Sequence, residues 1–412
     1  MAFKKVKGGV CAPKGFQGGA VSCGIKDPRD PRTDLALVYS AHPCVSAGSF
    51  TTNRVKAAPV KVTQAHLRAR ELRAIVANSG NANACTGVPG IQDARAMAKS
   101  VATTLGLRQR EIGVCSTGVI GLPLPMDRIT PGLESLSGCL STRGGSEVAK
   151  AIMTSDTSVK EIAVTTTIGG RKIHIGACAK GAGMICPSMA TMLCFVTTDA
   201  NLSKACLQKS LLEAVEASFN RICIDGDMST NDTVLVLANG QAGGKAISRG
   251  SKDCRKFSQA LTHVLLELAR ACVRDGERVS KFVTLEVRGA SVYLDAKKVA
   301  EAIAKSALVK SSWNGGDPNW GRIIHAIGYS RARIREELID ISYDGKPACE
   351  GGLAAKTPLK TLRDIAARDS FTITVDLHLG KADYTIYTSD ISPEYIDFNR
   401  SEYAYWKNAG LG

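Results

Sequence analysis

The sequence has no Cys-x-x-Cys pair and no uninterrupted apolar run of the ~18 residues a membrane span needs. It also has no phosphate loop of the Gly-x-Gly-x-x-Gly or Gly-x-x-x-x-Gly-Lys-Ser/Thr kind. Each absence removes a class of function. Fourteen cysteines without paired spacing point to neither a zinc site nor a disulfide framework. Several, namely Cys115, Cys178, Cys194, Cys223 and Cys272, sit among apolar or small residues, so buried free thiols in a reducing compartment are expected. His42, His66, His174, His263, His325 and His378 show no metal-ligand spacing, and no metal is expected. Aromatic residues make up only 5%, and no basic stripe interleaves with them despite a formal charge of +15. Nucleic acid is therefore not the expected partner. Scattered Lys and Arg suit attraction of a carboxylate substrate, or plain solubility. Met1 to Gly8 is basic, but no apolar core follows, so a signal peptide is not expected and the location reads as cytoplasmic.

What is present fits a globular chain of two or three domain-sized units: 412 residues, 44% hydrophobic, 22% charged, with 40 glycines. Arg73 to Val76 reads as a strand entering a tight Asn/Gly/Ala loop that runs to Ala84. Ala94, Met97, Val101 and Leu105 recur at helical spacing. Glu161 to Ile168 and Arg171 to Ala179 alternate around Gly169-Gly170, which predicts a hairpin. Thr191 opens an apolar strand running to Val196. Ser203 predicts the cap of a helix carrying Cys206, Leu211 and Val215. A second helix is expected over 254–273, a third over 296–311. Phe371 to Leu379 and Ala382 to Thr388 are expected to pair across Gly380-Lys381. The mixture is α/β in the broad sense, without the regular alternation of a doubly wound sheet.

Thr191 is singled out by its surroundings as a candidate nucleophile. A threonine hydroxyl within a chain is a poor nucleophile, but an N-terminal threonine has a free α-amine to take its proton. That amine has a pKa of roughly 7.7–8.0, suited to general-base work near neutrality. Exposing it requires cleavage after Ala190. The small Ala190 leaves room for Thr191 Oγ1 to attack its carbonyl. Taken alone, Thr191 reads as an ordinary β-branched strand residue.

Its neighbours say more. Lys180-Gly181-Ala182-Gly183-Met184-Ile185, then Pro187, then Met189-Ala190-Thr191-Met192-Leu193, resembles the processing site of the glutamate N-acetyltransferase (ornithine acetyltransferase) family. Further segments match in order: 50–55, 78–87, 116–121, 152–157, 225–233 and 317–322. The resemblance covers nearly the whole chain. It implies a layered helix–sheet sandwich of the DmpA/ArgJ-like type, self-processed at Ala190-Thr191 into an α chain (1–190) and a β chain (191–412) that stay together as α2β2 or larger.

The resemblance also implies the reaction. Thr191 takes the acetyl group of N2-acetyl-L-ornithine, ornithine leaves, and L-glutamate accepts the group, a double displacement in arginine biosynthesis. Thr117 and Gly118 match the oxyanion hole, where each donor is worth about 2.7–4 kcal/mol. Thr154, Lys180, Thr191, Glu277 and Asn399 match substrate contacts. Lys180 would meet a carboxylate and Glu277 the ornithine amine. Asn83, Asp225, Asp227 and Asn231 are expected to serve local structure. No cofactor is implied, and use of acetyl-CoA as a second donor is left open.

Two places depart from the family. Arg278 stands where a glycine is usual, which puts the backbone beside Glu277 in question. The tail from Asn399 to Gly412 lacks the usual last hydroxyl. The competing functions are another N-terminal-nucleophile amidohydrolase or aminopeptidase on the same fold, and a binding protein that has lost activity.

Overall fold

Gly169 and Gly170 both adopt left-handed backbone, with φ of 57° and 74°, as a two-residue type I′ turn requires. They close the predicted hairpin, Lys160–Ile168 against Arg171–Lys180, in register from Ile168↔Arg171 to Lys160↔Ala179. The computed structural model describes residues 3–186 and 192–408. The chain divides into two units. The first is Met1–Gly181, Ser188–Asn220 and Met228–Cys272; the second is Ala182–Pro187, Arg221–Asp227 and Val273–Gly412.

Among the described residues, the first unit holds two sheets. One has six strands in the order Lys4–Val6, Lys160–Ile168, Arg171–Lys180, Leu193–Thr198, Thr233–Ala238, Val45–Phe50. The other has four: Phe16–Val21, Leu35–Ser40, Ala74–Asn78, Ile112–Ser116. Alternation along the four-stranded sheet splits its side chains between two cores. Ala36, Val38, Ile75 and Ala77 share a core with Phe195, Leu235 and Leu237 of the six-stranded sheet. Leu35, Leu37, Val76 and Val114 share another with Met97 and Val101 of helix Gly87–Leu105 and Leu133 of helix Met126–Leu136. The result is the expected layering of helices and sheets. Helix Lys204–Glu216 packs on the Val45–Phe50 strand, and Ser203 Oγ caps it by accepting the Cys206 N–H.

The second unit is built on a seven-stranded sheet, ordered Ile222–Cys223, Ala382–Ser389, Phe282–Ala290, Ser370–Asp376, Asp340–Tyr343, Lys346–Glu350, Leu353–Ala354. Val283, Leu285, Ile373 and Ile386 share a buried core with Val299, Ile303 and Trp313 of the helices Tyr293–Lys305 and Ala307–Asn314.

Three expectations are corrected. The strands Ser370–Asp376 and Ala382–Ser389 do not pair with each other: Phe282–Ala290 lies between them, parallel to the first and antiparallel to the second. The Leu377 and Leu379 N–H groups donate to Arg288 and Gly289 carbonyls instead of closing a hairpin. The helix expected over 296–311 is two helices, because Ser306 leaves helical dihedrals and its Oγ accepts the Val309 N–H as a new cap. The third concerns cysteine. Cys206 and Cys254, 48 residues apart, form a disulfide with Cα atoms 6.1 Å apart; the other twelve are free thiols. Among the described residues no helix is long and apolar enough to cross a membrane.

Candidate active site

The sequence-predicted residues fall into two groups, one in each unit. In the first unit, the Ile112–Ser116 strand runs out into Thr117-Gly118. The Thr117 N–H donates to Asn78 O at 3.0 Å, and the residue is buried. Gly118 has φ 135°, and a Cβ there would lie 2.3 Å from the Gly80 carbonyl carbon and 2.5 Å from Asn81 N. Only glycine lets these two loops approach so closely. Asn231 ties them together: Nδ2 donates to Ala82 O at 2.7 Å and to Ser116 O at 2.8 Å. Its Oδ1 accepts from Thr230 Oγ1 at 2.6 Å. Among the described residues, neither the Thr117 hydroxyl nor the Gly118 N–H has a hydrogen-bond partner. Two uncommitted donors on a braced turn are what a developing oxyanion needs.

Lys180 ends the strand Arg171–Lys180 and is 2% exposed, so it is not the solvated lysine that its residue type alone would suggest. Its Nζ donates to Thr154 Oγ1 at 2.6 Å and lies 3.8 Å from Asp156 Oδ2. Asp156 is the hub: Oδ1 accepts from Lys160 Nζ at 2.6 Å and from the Gly181 N–H at 2.7 Å, and Oδ2 accepts the Thr154 N–H at 3.0 Å. Burial pushes this carboxyl up, but the Lys180 and Lys160 ammonium groups outweigh it and hold the pKa at about 2. One carboxylate thus serves two lysines. The charge balance is positive, and Lys180 keeps donor capacity for an incoming carboxylate.

Ala190 and Thr191 lie outside the described residues. The residue after them, Met192, donates its N–H to Asp232 Oδ1 at 2.9 Å. Asp232 is fully buried, and burial pushes its carboxyl well above the usual range. The Met192 N–H, the Thr51 side chain and the Lys180 ammonium pull against that rise.

In the second unit, the Ala182 carbonyl accepts the Glu277 N–H at 2.8 Å. Asp225 accepts the Met184 and Ile185 N–H groups at 2.5 and 2.9 Å. Burial raises the Asp225 pKa to about 6 against these hydrogen bonds. A Cβ on Gly183 would stand 2.3 Å from the Glu277 carboxyl carbon, so glycine makes room for that side chain. Asn399 Nδ2 donates to Glu277 Oε2 at 3.4 Å, which brings together the two substrate contacts expected here. Arg278 adopts φ 56°, the left-handed backbone a glycine takes at little cost. Its guanidinium lies 5.1 Å over the Phe398 ring, and its carbonyl accepts from Ser392 Oγ at 2.7 Å.

Sequence reasoning did not single out Asp156 or Asp232, although both lie inside matched segments. It gave Asn231 only a local role. Partners 149 and 115 residues distant leave no local signal. The histidines enter none of these groups. His174 Nδ1 is 2.7 Å from Asp199 Oδ2, and His66 Nδ1 is 2.8 Å from Ile112 O.

Residues 17–404 match the model of the ArgJ family. The chain is 45% identical over 394 residues, 96% of its length and 98% of the relative's, to the arginine biosynthesis bifunctional protein ArgJ of Symbiobacterium thermophilum. It is 46% identical over 387 residues to the protein of the same name from Geobacter sulfurreducens, covering 94% of this chain and 98% of that one. A crystal structure of the Bacillus halodurans protein of that name aligns with a TM-score of 0.49 and 36% identity, over 50% of this chain and 98% of that chain.

Proposed function

The chain belongs to the ArgJ family, and on that premise we propose that it transfers acetyl groups in arginine biosynthesis, moving one from N2-acetyl-L-ornithine to L-glutamate. The observation that carries this reading is a family match spanning residues 17–404, with relatives above 40% identity along almost their whole length. In this reading the chain cuts itself between Ala190 and Thr191, and the α (1–190) and β (191–412) chains remain associated as α2β2 or larger.

The freed α-amine of Thr191 takes the proton of its own hydroxyl, and Oγ1 attacks the acetyl carbonyl. The Thr117 hydroxyl and Gly118 N–H, both uncommitted among the described residues, stabilise the oxyanion. The intermediate collapses to acetyl-Thr191 and ornithine. Glutamate then enters, takes the acetyl group by the reverse steps, and restores the hydroxyl. Lys180, backed by Thr154, receives the substrate carboxylate; Glu277, with Asn399 beside it, receives the ornithine ammonium. Nucleophile, base and donors are all protein groups, so the scheme uses no metal or prosthetic group. Acetyl-CoA is the second donor to test, by acetylglutamate formation from it against formation from N-acetylornithine.

The test is a mass spectrum of the purified protein. Two fragments, the second beginning Thr-Met-Leu, are expected, and Thr191→Ala is expected to remain one chain with no acetyl transfer. A Thr191→Ala protein that still splits and turns over overturns the assignment.

A further inference from the structure

A cleft of about 490 Å³ lies within the first unit, between helix Ala58–Ala69, helix Gly87–Leu105 and the short 3-10 turn Gln109–Glu111. Acetyl transfer as proposed above makes no use of it. Its volume is that of a site for a small organic molecule. Positions 61, 62, 65, 66 and 69 of the first helix form one wall, a stripe at helical spacing. Ala65 and Ala69 keep that wall low, because two short side chains stand where longer ones would fill the gap between the helices. With Val62 and Ile91 they make the apolar part of the lining.

The charge of the lining has one sign. Lys61, Arg95 and Arg110 line the cleft and no acidic residue does. Among the described residues none of these three cations forms an ion pair. By contrast Arg29, Arg32 and Arg335, also exposed, each pair with a carboxylate. A concave surface lined by one sign of charge concentrates ions of the other.

Two acceptors accompany the cations. His66 is buried, and its Nδ1 lies 2.8 Å from Ile112 O. A carbonyl only accepts, so Nδ1 carries the proton. Burial pushes the imidazole below its ordinary pKa, against the Ile112 hydrogen bond, and the Arg110 and Arg95 charges push the same way. The ring is neutral, and Nε2, with no partner among the described residues, is an acceptor. Gln109 Nε2 donates to Arg95 O at 3.0 Å, which leaves Gln109 Oε1 as the second acceptor.

The lining therefore suits a ligand with several negative charges, hydroxyl or amino donors, and an apolar face. A simple carboxylate brings too little charge, and inorganic phosphate has no apolar face. A nucleoside phosphate has all three: phosphates for the cations, sugar hydroxyls and a base amine for the acceptors, and a flat base to lie against the alanines or a guanidinium. We infer that this cleft is a binding site for a nucleoside phosphate.

The site is separate from the oxyanion turn. The strand Ile112–Ser116 begins where His66 holds Ile112 and runs out into Thr117, and its rise puts residues 112 and 117 about 17 Å apart. The helix that carries the cleft wall also clasps the middle of this strand: Thr63 Oγ1 donates to Val114 O at 2.7 Å and accepts the Val114 N–H at 2.8 Å. Ligand and acetyl-transfer substrate are thus expected to bind at the same time.

The experiment is equilibrium dialysis of the purified protein against adenosine 5′-diphosphate in magnesium-free buffer. One molecule is expected to bind per copy of the chain, and saturating N-acetylornithine is expected to leave the affinity unchanged. Arg95→Ala and Arg110→Ala are each expected to weaken binding about tenfold. Ala65→Trp, which fills the cleft and leaves every charge in place, is expected to weaken it at least as much. All three positions are solvent-exposed, and circular dichroism spectra are expected to match wild type. Pyrophosphate is expected to bind about tenfold more weakly than the nucleotide; equal affinity means an ion held by surface charge only, and overturns the proposal. Absence of nucleotide binding overturns it as well, as does displacement by N-acetylornithine. An affinity that none of the three variants moves places the nucleotide elsewhere and has the same consequence.

Discussion

Lys180 Nζ donates a 2.6 Å hydrogen bond to Thr154 Oγ1, 26 residues away in sequence. The hydroxyl aims an ammonium that is almost wholly buried, and Asp156 supplies the counter-charge from 3.8 Å. Lys180→Met removes the cation and leaves Asp156 paired with Lys160. The expected outcome is a folded, self-cleaved enzyme whose KM for its carboxylate substrates rises at least tenfold, measured by steady-state kinetics. An unchanged KM removes Lys180 from substrate binding.

Asp156→Asn is expected to be far more damaging. It leaves the ammonium groups of Lys160 and Lys180 buried without their carboxylate. Breaking a buried pair from one side costs about 3–5 kcal/mol. Urea denaturation checks this; a loss below about 1 kcal/mol means that water or another group takes over the pairing.

Thr117→Ala takes away one of the two proposed oxyanion donors and nothing structural, since the residue's N–H bond to Asn78 survives. A fall in kcat of about 10²–10³ with little change in KM is expected. Gly118→Ala is different in kind: its Cβ collides with backbone at Gly80 and Asn81, so loss of activity should be accompanied by a lowered melting temperature. Thermal unfolding of the two variants separates these effects.

Arg278 tests the tolerance of a left-handed position. Both Arg278→Gly and Arg278→Ala lose the stacking on Phe398, but only glycine is unstrained at φ 56°. Arg278→Gly is expected to be more stable than Arg278→Ala by about 1 kcal/mol. Equal urea midpoints would mean that the backbone beside Glu277 rearranges in one of them.

Two carboxyls give opposite pH signatures. Asp156 titrates at about 2, below its ordinary 3.8. Its stabilisation, about 2 kcal/mol by linkage, is complete above the ordinary value and lost as pH falls towards 2. Asp225 titrates at about 6, above 3.8. Its protonated form favours the fold, so its contribution is present below the ordinary value and about 3 kcal/mol is lost as pH rises through 6. Urea midpoints from pH 2 to 8 should show a rise and then a decline, and Asp225→Ala should flatten the decline.

Several features were legible from short stretches of chain. Alternation around Gly169-Gly170 set the hairpin, and Ser203 before an apolar period set a helix start, because both are decided within a few residues. The matched segments named the reaction and located Thr117, Gly118, Thr154, Lys180 and Glu277. The helix break at Ser306 is not legible although its signal is local: a serine three residues before the amide it caps looks like any other polar helix position until the dihedrals are known.

What the sequence determined by itself was chemistry and kinship, because residue identity and order carry both. Only the tertiary structure decided which groups are buried and which partners they meet. Asp232 is an ordinary acid in the sequence and a fully buried one that accepts the Met192 N–H in the fold. Lys180 is an ordinary lysine until Thr154 and Asp156 close over it. The insertion of Phe282–Ala290 between two neighbouring strands, and the meeting of Cys206 with Cys254, were likewise invisible, since long-range pairing is settled by packing energy summed over the whole chain rather than by local preference.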